Sequence, residues 1–482
     1  LADGDEAVEG IMAIHVMERN VHPIYPYGVC YGAGTFVEVH LAALLFKVFG
    51  ISDIVLKASG FVLWLLCMAL IYAVANACYG SKAALLAAVL YGFSPQSPEW
   101  SLKVAGGHQV AILCCLLLLL ARERKFPIPL FAALLPLAAF AHPITITLVA
   151  YLAVDAFVRA EGRVERIRLL IWLLSSSLVA LAVLWPGNTS VWNPASSRLD
   201  PLAILAVLPS VLVTLFTPNL NSNHLPTLFY LMVSLIWLIG FTLATIRCIT
   251  HDRNMVPLLA STVAVVFLVN PSLLVPRHLL MLYPLSCLII AGVACSLPVR
   301  WQVPSLAILV LSGGLIQIAE MRSPCIYGPS PQEVGLERNH VHTMVKELQK
   351  LDIRYVYCFD PMLQWNIIFE SREQIVARWC NPNDRFPEYP QRVDAAKRAG
   401  KQIPVIYELE QPGDQFPQRF TIVWHPDPAV IDRVFPSSPV TVSASPPAAT
   451  DVTTGSPLAP FSRPSRTPAI TPPGNCQEEA AP

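Results

Sequence analysis

Ten apolar stretches punctuate the middle of the chain, at 56–78, 82–97, 104–121, 126–141, 143–158, 167–186, 226–247, 255–271, 278–297 and 303–320. A helix needs about 20 apolar residues to cross a bilayer, fewer when it packs inside a bundle. The pattern therefore predicts an α-helical polytopic membrane protein with ten spans over residues 56–320. The pair at 126–158 is short and joined only by "AHP". Ahead of the first span, "EVHLAALLFKVFG" (38–50) is too short to cross and reads as an amphipathic helix lying on the membrane surface. "PLAILAVLPSVLVTLF" (201–216) is interrupted by Pro209 and reads as interfacial or re-entrant.

Beyond Glu320 the pattern changes. Short β-type stretches, "RYVYCF", "QIVARW", "PVIYEL" and "FTIVW", alternate with helical ones such as "HTMVKELQKL" and "QRVDAAKRAG", which predicts a small α/β domain over 321–436. From 437 to 482, ten of 46 residues are proline, amid Ser, Thr and Ala, so this Pro/Ser/Thr-rich tail cannot bury a core and reads as disordered.

Composition agrees with a membrane protein. Hydrophobic residues make up 54% and charged residues 14%, with a mean hydropathy of +0.52, against about 45–50% apolar residues in ordinary soluble domains. The net charge of zero provides no field that would draw in nucleic acid. The twelve cysteines form no CxxC pair or zinc spacing, and Cys67, Cys114, Cys115 and Cys287 sit in apolar runs where packing explains them. Lys and Arg favour the cytoplasmic side, and "RERK" (122–125), "RAEGRVERIR" (159–168) and "RCITHDR" (247–253) are separated by even numbers of spans, so one face holds all three. Residues 1–55, an acidic loop followed by the surface helix, then fall outside the cytoplasm together with everything after 320.

Candidate chemistry gathers on that outer face. The opening stretch places Asp3, Asp5, Glu6 and Glu9 close together. The adjacent carboxylates Asp5 and Glu6 can take a proton from an attacking hydroxyl, hold a divalent metal such as Mg or Mn, or stay solvated. "YPYGVCYGAGTFVEVH" (25–40) mixes Gly28, Gly32 and Gly34 with tyrosines, Tyr31 among them, and reaches Glu38 at the head of the surface helix. Glycines let backbone approach a ligand, and tyrosines offer flat faces with hydroxyl handles.

"SLKVAGGHQ" (101–109) carries Lys103 and His108, and "VPRHLLMLYP" (275–284) carries Arg277 and His278. A cation at a helix N-terminus opposes the macrodipole, so a phosphate shared between Arg277 and free N–H groups resolves the conflict; a guanidinium snorkelling to lipid headgroups is the plain alternative. The HxH of "NHVHT", His340 and His342, reads as a surface feature of a helix start, and no metal site is assigned. Acids to activate a nucleophile, cations for a phosphate and a greasy bundle for a lipid tail together imply transfer from a lipid-linked phosphate donor.

The stretches "DGDEAVEGIMAIHVM", "YGAGTFVEVHLAALLFKVFG", "WSLKVAGGHQ", "PRHLLMLYPL" and "RYVYCFDPMLQWNIIFESREQIVA" resemble the polytopic glycosyltransferases of GT-C type that use polyprenyl-phosphate sugars, a group that includes protein O-mannosyltransferases and lipid A aminoarabinose transferases. The likeness extends over about the first 440 residues. It implies an inverting transfer, in a bacterial inner membrane, from a polyprenyl-phosphate sugar to a hydroxyl of an acceptor protein, lipid or glycan on the outer face. By resemblance Asp5 is the base with Glu6 beside it, while Glu38, Tyr31, Lys103, His108, Arg277 and His278 bind substrate. His278 stands where the family commonly has tyrosine, and His108 where it has an aromatic residue. The chain starts at Leu1, and the resemblance implies one further span ahead of it. The rival reading is a transporter or flippase of a lipid-linked sugar, which would place its ionisable residues nearer mid-membrane.

Overall fold

The computed structural model describes residues 4–29, 31–184, 227–251, 255–264, 276–321, 338–380, 384–409, 419–423, 431 and 435. The stretch 201–216 and the tail 437–482 lie outside the described residues. Two helices come first, α1 (Gly4–Arg19) and α2 (Thr35–Phe49). Helices then overlie each of the ten apolar stretches: α3 (Asp53–Tyr79), α4 (Ser81–Gly92), and, after the single turn α5 (Ser97–Trp100), α6 (His108–Glu123), α7 (Ile128–Ala141), α8 (Ile146–Arg159), α9 (Arg163–Leu184), α10 (Thr227–His251), α11 (Met255–Ala264), α12 (Leu282–Ser296) and α13 (Val299–Met321).

The chain is an integral membrane protein. Asp53–Tyr79, Arg163–Val183 and Val299–Ile318 are long and apolar enough to cross a membrane, while Ser81–Gly92, Ile128–Ala141, Leu231–Arg247 and Leu282–Ser296 are shorter apolar helices. Chain breakers set several of these lengths. Ser52 caps α3 by accepting from the Val55 N–H, α3 ends at Gly80, and Gly106–Gly107 delays the start of α6. The short helices lean on their neighbours: Leu90, Leu116, Trp237 and Leu285 are fully buried in one shared core. Leu66, Leu85, Leu174, Leu178, Leu235 and Leu311 face outwards, as lipid-facing side chains do.

Two differences from the sequence reading concern the first 50 residues. The acidic stretch, expected as a loop, is α1, and the surface helix starts three residues earlier than expected, at Thr35. Physical reasons were present in the sequence: Asp5 and Glu6 in a first turn suit the macrodipole, and Ala7, Val8, Ile11, Met12 and Ile14 recur at helical spacing. Helix α2 buries Glu38, Val39, Ala42 and Phe46 on one side and exposes Val37, Leu44, Val48 and Phe49 on the other.

The C-terminal part builds α14 (Arg338–Lys350), β1 (Tyr355–Cys358), α15 (Pro361–Glu370), β2 (Val376–Arg378), α16 (Glu388–Arg398), β3 (Val405–Leu409) and β4 (Arg419–Val423). The strands form a sheet of order β2-β1-β3-β4. Strand β1 lies parallel to β2 and β3, and β3 pairs antiparallel with β4. Asp360 caps α15 by accepting from the Met362 and Leu363 N–H groups, with Pro361 at the first helical position. This unit shares one core with the opening helices: Ile11, Met12 and Phe46 pack with Val356, Ile367 and Phe369. Helix α1 is thereby enclosed between α2 and α15. Gly10 makes that closeness possible, since a Cβ there would lie 2.5 Å from the Phe369 ring.

Candidate active site

Helix α1 sends its carboxylates in different directions, because neighbours on a helix point about 100° apart. Asp5 is half-exposed at the rim, where its Oδ1 accepts from Arg385 Nη1 at 2.5 Å. Glu6 is buried; both its oxygens accept from Lys57 Nζ, at 2.9 and 3.1 Å, and Oε1 also accepts from the Val104 N–H at 3.2 Å. One turn further in, Glu9 is buried and accepts from the Gly106 N–H, and from Thr35 Oγ1 at 3.3 Å. From α2, Glu38 is fully buried and its Oε2 accepts from the Gly107 N–H at 3.0 Å. Three carboxylates thus hold the segment from Val104 to Gly107 by its backbone. Burial, the largest influence on each, pushes Glu9 and Glu38 above the ordinary carboxylate range.

That arrangement gives the glycines a packing partner. A Cβ at Gly32 would sit 2.6 Å from the Gly106 carbonyl oxygen, and one at Gly34 would sit 2.8 Å from the Gly107 carbonyl oxygen. The "GAG" and "GG" runs press backbone on backbone, so these glycines allow a close approach to each other. The end of α7 completes the contact, with Ala33 and Gly34 donating to the Phe140 and Ala141 carbonyls at 3.0 and 3.1 Å.

Around this frame sit several of the expected residues. His108 is buried, with Nδ1 2.7 Å from the Ala105 carbonyl, and its ring centroid lies 4.1 Å from that of His142. Tyr31, half-exposed, approaches His142 edge-on at 5.8 Å. Lys103 lies over the Trp100 ring at 5.2 Å, and Gln109 steadies that stretch by donating to the Trp100 and Lys103 carbonyls. Asp5, Glu6, Glu38, Lys103, His108 and Tyr31 therefore gather at one end of the bundle. Arg277 is exposed on a 3-10 turn, Pro276–Leu279, and among the described residues it has no ion-pair partner; the His278 side chain lies outside the described residues.

The sequence reading missed Arg385, Lys57, Thr35 and His142, and passed over Glu9. Helical spacing places Glu9 one turn beyond Asp5 and Glu6, a legible signal once α1 is a helix. Nothing local marks Arg385, which lies 380 residues from Asp5. A second hub ties α1 to the C-terminal unit. Glu373 Oε1 accepts from His15 Nε2, Arg19 Nη2 and the Tyr389 hydroxyl at 3.0, 2.7 and 2.8 Å. Burial alone would raise Glu373, but these donors outweigh it and hold the carboxyl below its ordinary range.

Asp5 and Glu6, the pair expected to be able to hold a divalent metal, each face a cation in this structure, Arg385 and Lys57. Among the described residues no group of three or more His, Cys, Asp or Glu is placed to hold one. His342 instead faces Glu370 at 3.5 Å. Helices α7, α8 and α9 border an open apolar groove of about 340 Å³ lined by Leu135, Phe140, Val149, Leu174, Leu178 and Leu181. Phe140 links it to the site, because its carbonyl receives the Ala33 N–H.

A bundle of apolar helices, closed at one end by two short carboxylate-bearing helices and a C-terminal sheet, gives the chain the GT-C fold. It is similar to ArnT from Cupriavidus metallidurans bound to undecaprenyl phosphate, with a TM-score of 0.56 and 13% identity over 88% of this chain and 94% of that one. The apo state of the same protein gives 0.53, again at 13% identity, over 88% and 93%. Neither a family model nor a curated protein matches the sequence.

Proposed function

We propose that this chain is a membrane glycosyltransferase that moves a sugar from a polyprenyl-phosphate donor to an acceptor hydroxyl on the extracytoplasmic face, with inversion. The observation that carries the proposal is the likeness, along nearly the whole of both chains, to a protein that binds undecaprenyl phosphate. Three features support it. A half-exposed carboxylate, Asp5, stands at the rim of an otherwise closed acidic frame. An open apolar groove between α7, α8 and α9 offers a surface for an isoprenoid chain. The ion-paired cluster Arg122, Asp155 and Arg159 lies at the opposite end of α6 and α8, with Arg122 Nε to Asp155 Oδ2 at 2.8 Å. His108 and Arg122 are 14 residues apart on α6, or about 20 Å at 1.5 Å per residue, so acids and basic loops lie at opposite ends. A transporter would be expected to carry its ionisable groups midway between.

In this reading Asp5 Oδ2 takes the proton of the acceptor hydroxyl as that oxygen attacks the anomeric carbon. The bond from that carbon to the phosphate oxygen breaks, and the phosphate keeps the electron pair. Arg385 holds Asp5 Oδ1, which fixes the carboxylate while Oδ2 stays available. Lys103 and Arg277 are the cations proposed for the donor phosphate, and His278 lies next to the second of them. Tyr31 and His108 line the approach. Asp5→Asn keeps the shape and removes the proton acceptor. In membranes with matched protein levels it should lower turnover by about 10²–10⁴-fold with little change in donor binding. A variant working at near wild-type rate would return Asp5 to a surface ion pair.

A further inference from the structure

Glu9 and Glu38 come from different helices and meet, both buried, against the Gly106–Gly107 turn. Glu9 spends Oε1 on Thr35 and the Gly106 N–H, and Glu38 spends Oε2 on the Gly107 N–H. Their remaining oxygens, Glu9 Oε2 and Glu38 Oε1, are buried and have no partner. Lys57 of the same frame is engaged by Glu6. Two ionised carboxylates cannot share such a space, because each would add desolvation and like-charge repulsion to the other. One proton between them removes both penalties, since the protonated acid donates to the remaining carboxylate.

We propose that Glu9 and Glu38 hold a single proton between them near neutral pH and act as positioning residues, locking the Gly106–Gly107 turn, and with it Lys103 and His108, against the helix that carries Asp5. The positioning role rests on the transferase reading; the shared proton does not. Other titratable groups around the pair are Asp5 and Glu6 on α1, Lys57 and Cys67 on α3, Lys103 and His108 flanking the turn, and His142 after α7. Asp5 adds repulsion at Glu9. Glu6 and Lys57 largely offset each other.

The sign of the pH dependence follows from burial. Glu38 is pushed up to about 7, and Glu9 is raised as well, so both carboxyls bind protons more tightly folded than unfolded. The stability they contribute is full below the ordinary glutamate range and is lost as pH rises through about 7 and beyond.

The full chain in detergent should therefore show a melting temperature that falls from about pH 5 to about pH 9. Its infrared spectrum at neutral pH should contain the C=O band of a protonated, buried carboxyl. Glu9→Gln replaces the O–H donor by a permanent N–H donor, so the band should disappear and the fall with pH should become shallower. Glu9→Ala removes the donor and leaves Glu38 alone. It should lower kcat more than it raises KM, and Glu9→Gln should recover most of that loss. A missing carboxyl band in the wild type would overturn the shared proton. So would a melting temperature insensitive to pH but lowered by EDTA, which would put a cation in the gap. Equal loss of kcat in Glu9→Gln and Glu9→Ala would overturn the positioning role even if the transferase reading stands. If Glu9→Ala does not fold, the band and the Glu9→Gln profile decide alone.

Discussion

Glu6 and Lys57 show how a residue's surroundings decide its work. Next to Asp5 in sequence, Glu6 was expected to share its chemistry, yet its side chain is 4% exposed and faces a lysine that is 27% exposed. Lys57→Met would take from the buried Glu6 carboxylate the cation that both its oxygens accept from. The cost should be about 1–3 kcal/mol, less than for a fully buried pair because water reaches the lysine. Glu6→Gln in the same background should recover most of it, a coupling that chemical denaturation of the four variants would reveal. Independent effects that simply add would mean the pair contributes nothing as a pair. The pairing was not legible in the sequence, for the two residues lie 51 positions apart. The same holds for Arg385 on Asp5. The candidate carboxylates themselves were legible, because charge inside so apolar a chain stands out.

At the scale of elements, hydrophobic period worked best where packing agrees with local preference. The ten apolar stretches all contain helices, and the four β-type stretches match the four strands. Helix α15 was not anticipated, although "DPM" carries its cap and first turn. Helix α1 was overlooked for a different reason: its charged residues suggested solvent, whereas tertiary contacts bury Glu6, Glu9 and His15. The glycine runs show the limit of local reading, since close approach was expected but its partner, a second glycine turn some 70 residues on, is a property of the fold. Gly10 carries the test. Phe369 is 2% exposed and has no room to yield, so Gly10→Ala should destabilise by about 1–3 kcal/mol through overpacking. Phe369→Leu should relieve much of the clash in the double variant. An alanine tolerated without loss in thermal melting would show that α1 and α15 are less tightly apposed than the structure has them.

For the whole molecule, the acids and the basic loops sit at opposite ends of a lipid-facing bundle, and the C-terminal sheet closes over α1 through the Glu373 hub. In the proposed function this places the base at the membrane surface, where a lipid-borne donor and a water-borne acceptor can meet. The account stands or falls on whether the sugar–phosphate bond breaks. The direct measurement uses proteoliposomes holding the purified chain and a panel of polyprenyl-phosphate sugars labelled in the sugar, with membrane extract as the source of acceptor. The label should leave the lipid fraction and appear on an acceptor for one member of the panel, and this transfer should be lost with Asp5→Asn. Label that stays on the lipid for every member, and instead moves from one leaflet to the other, would contradict a transferase and establish the flippase.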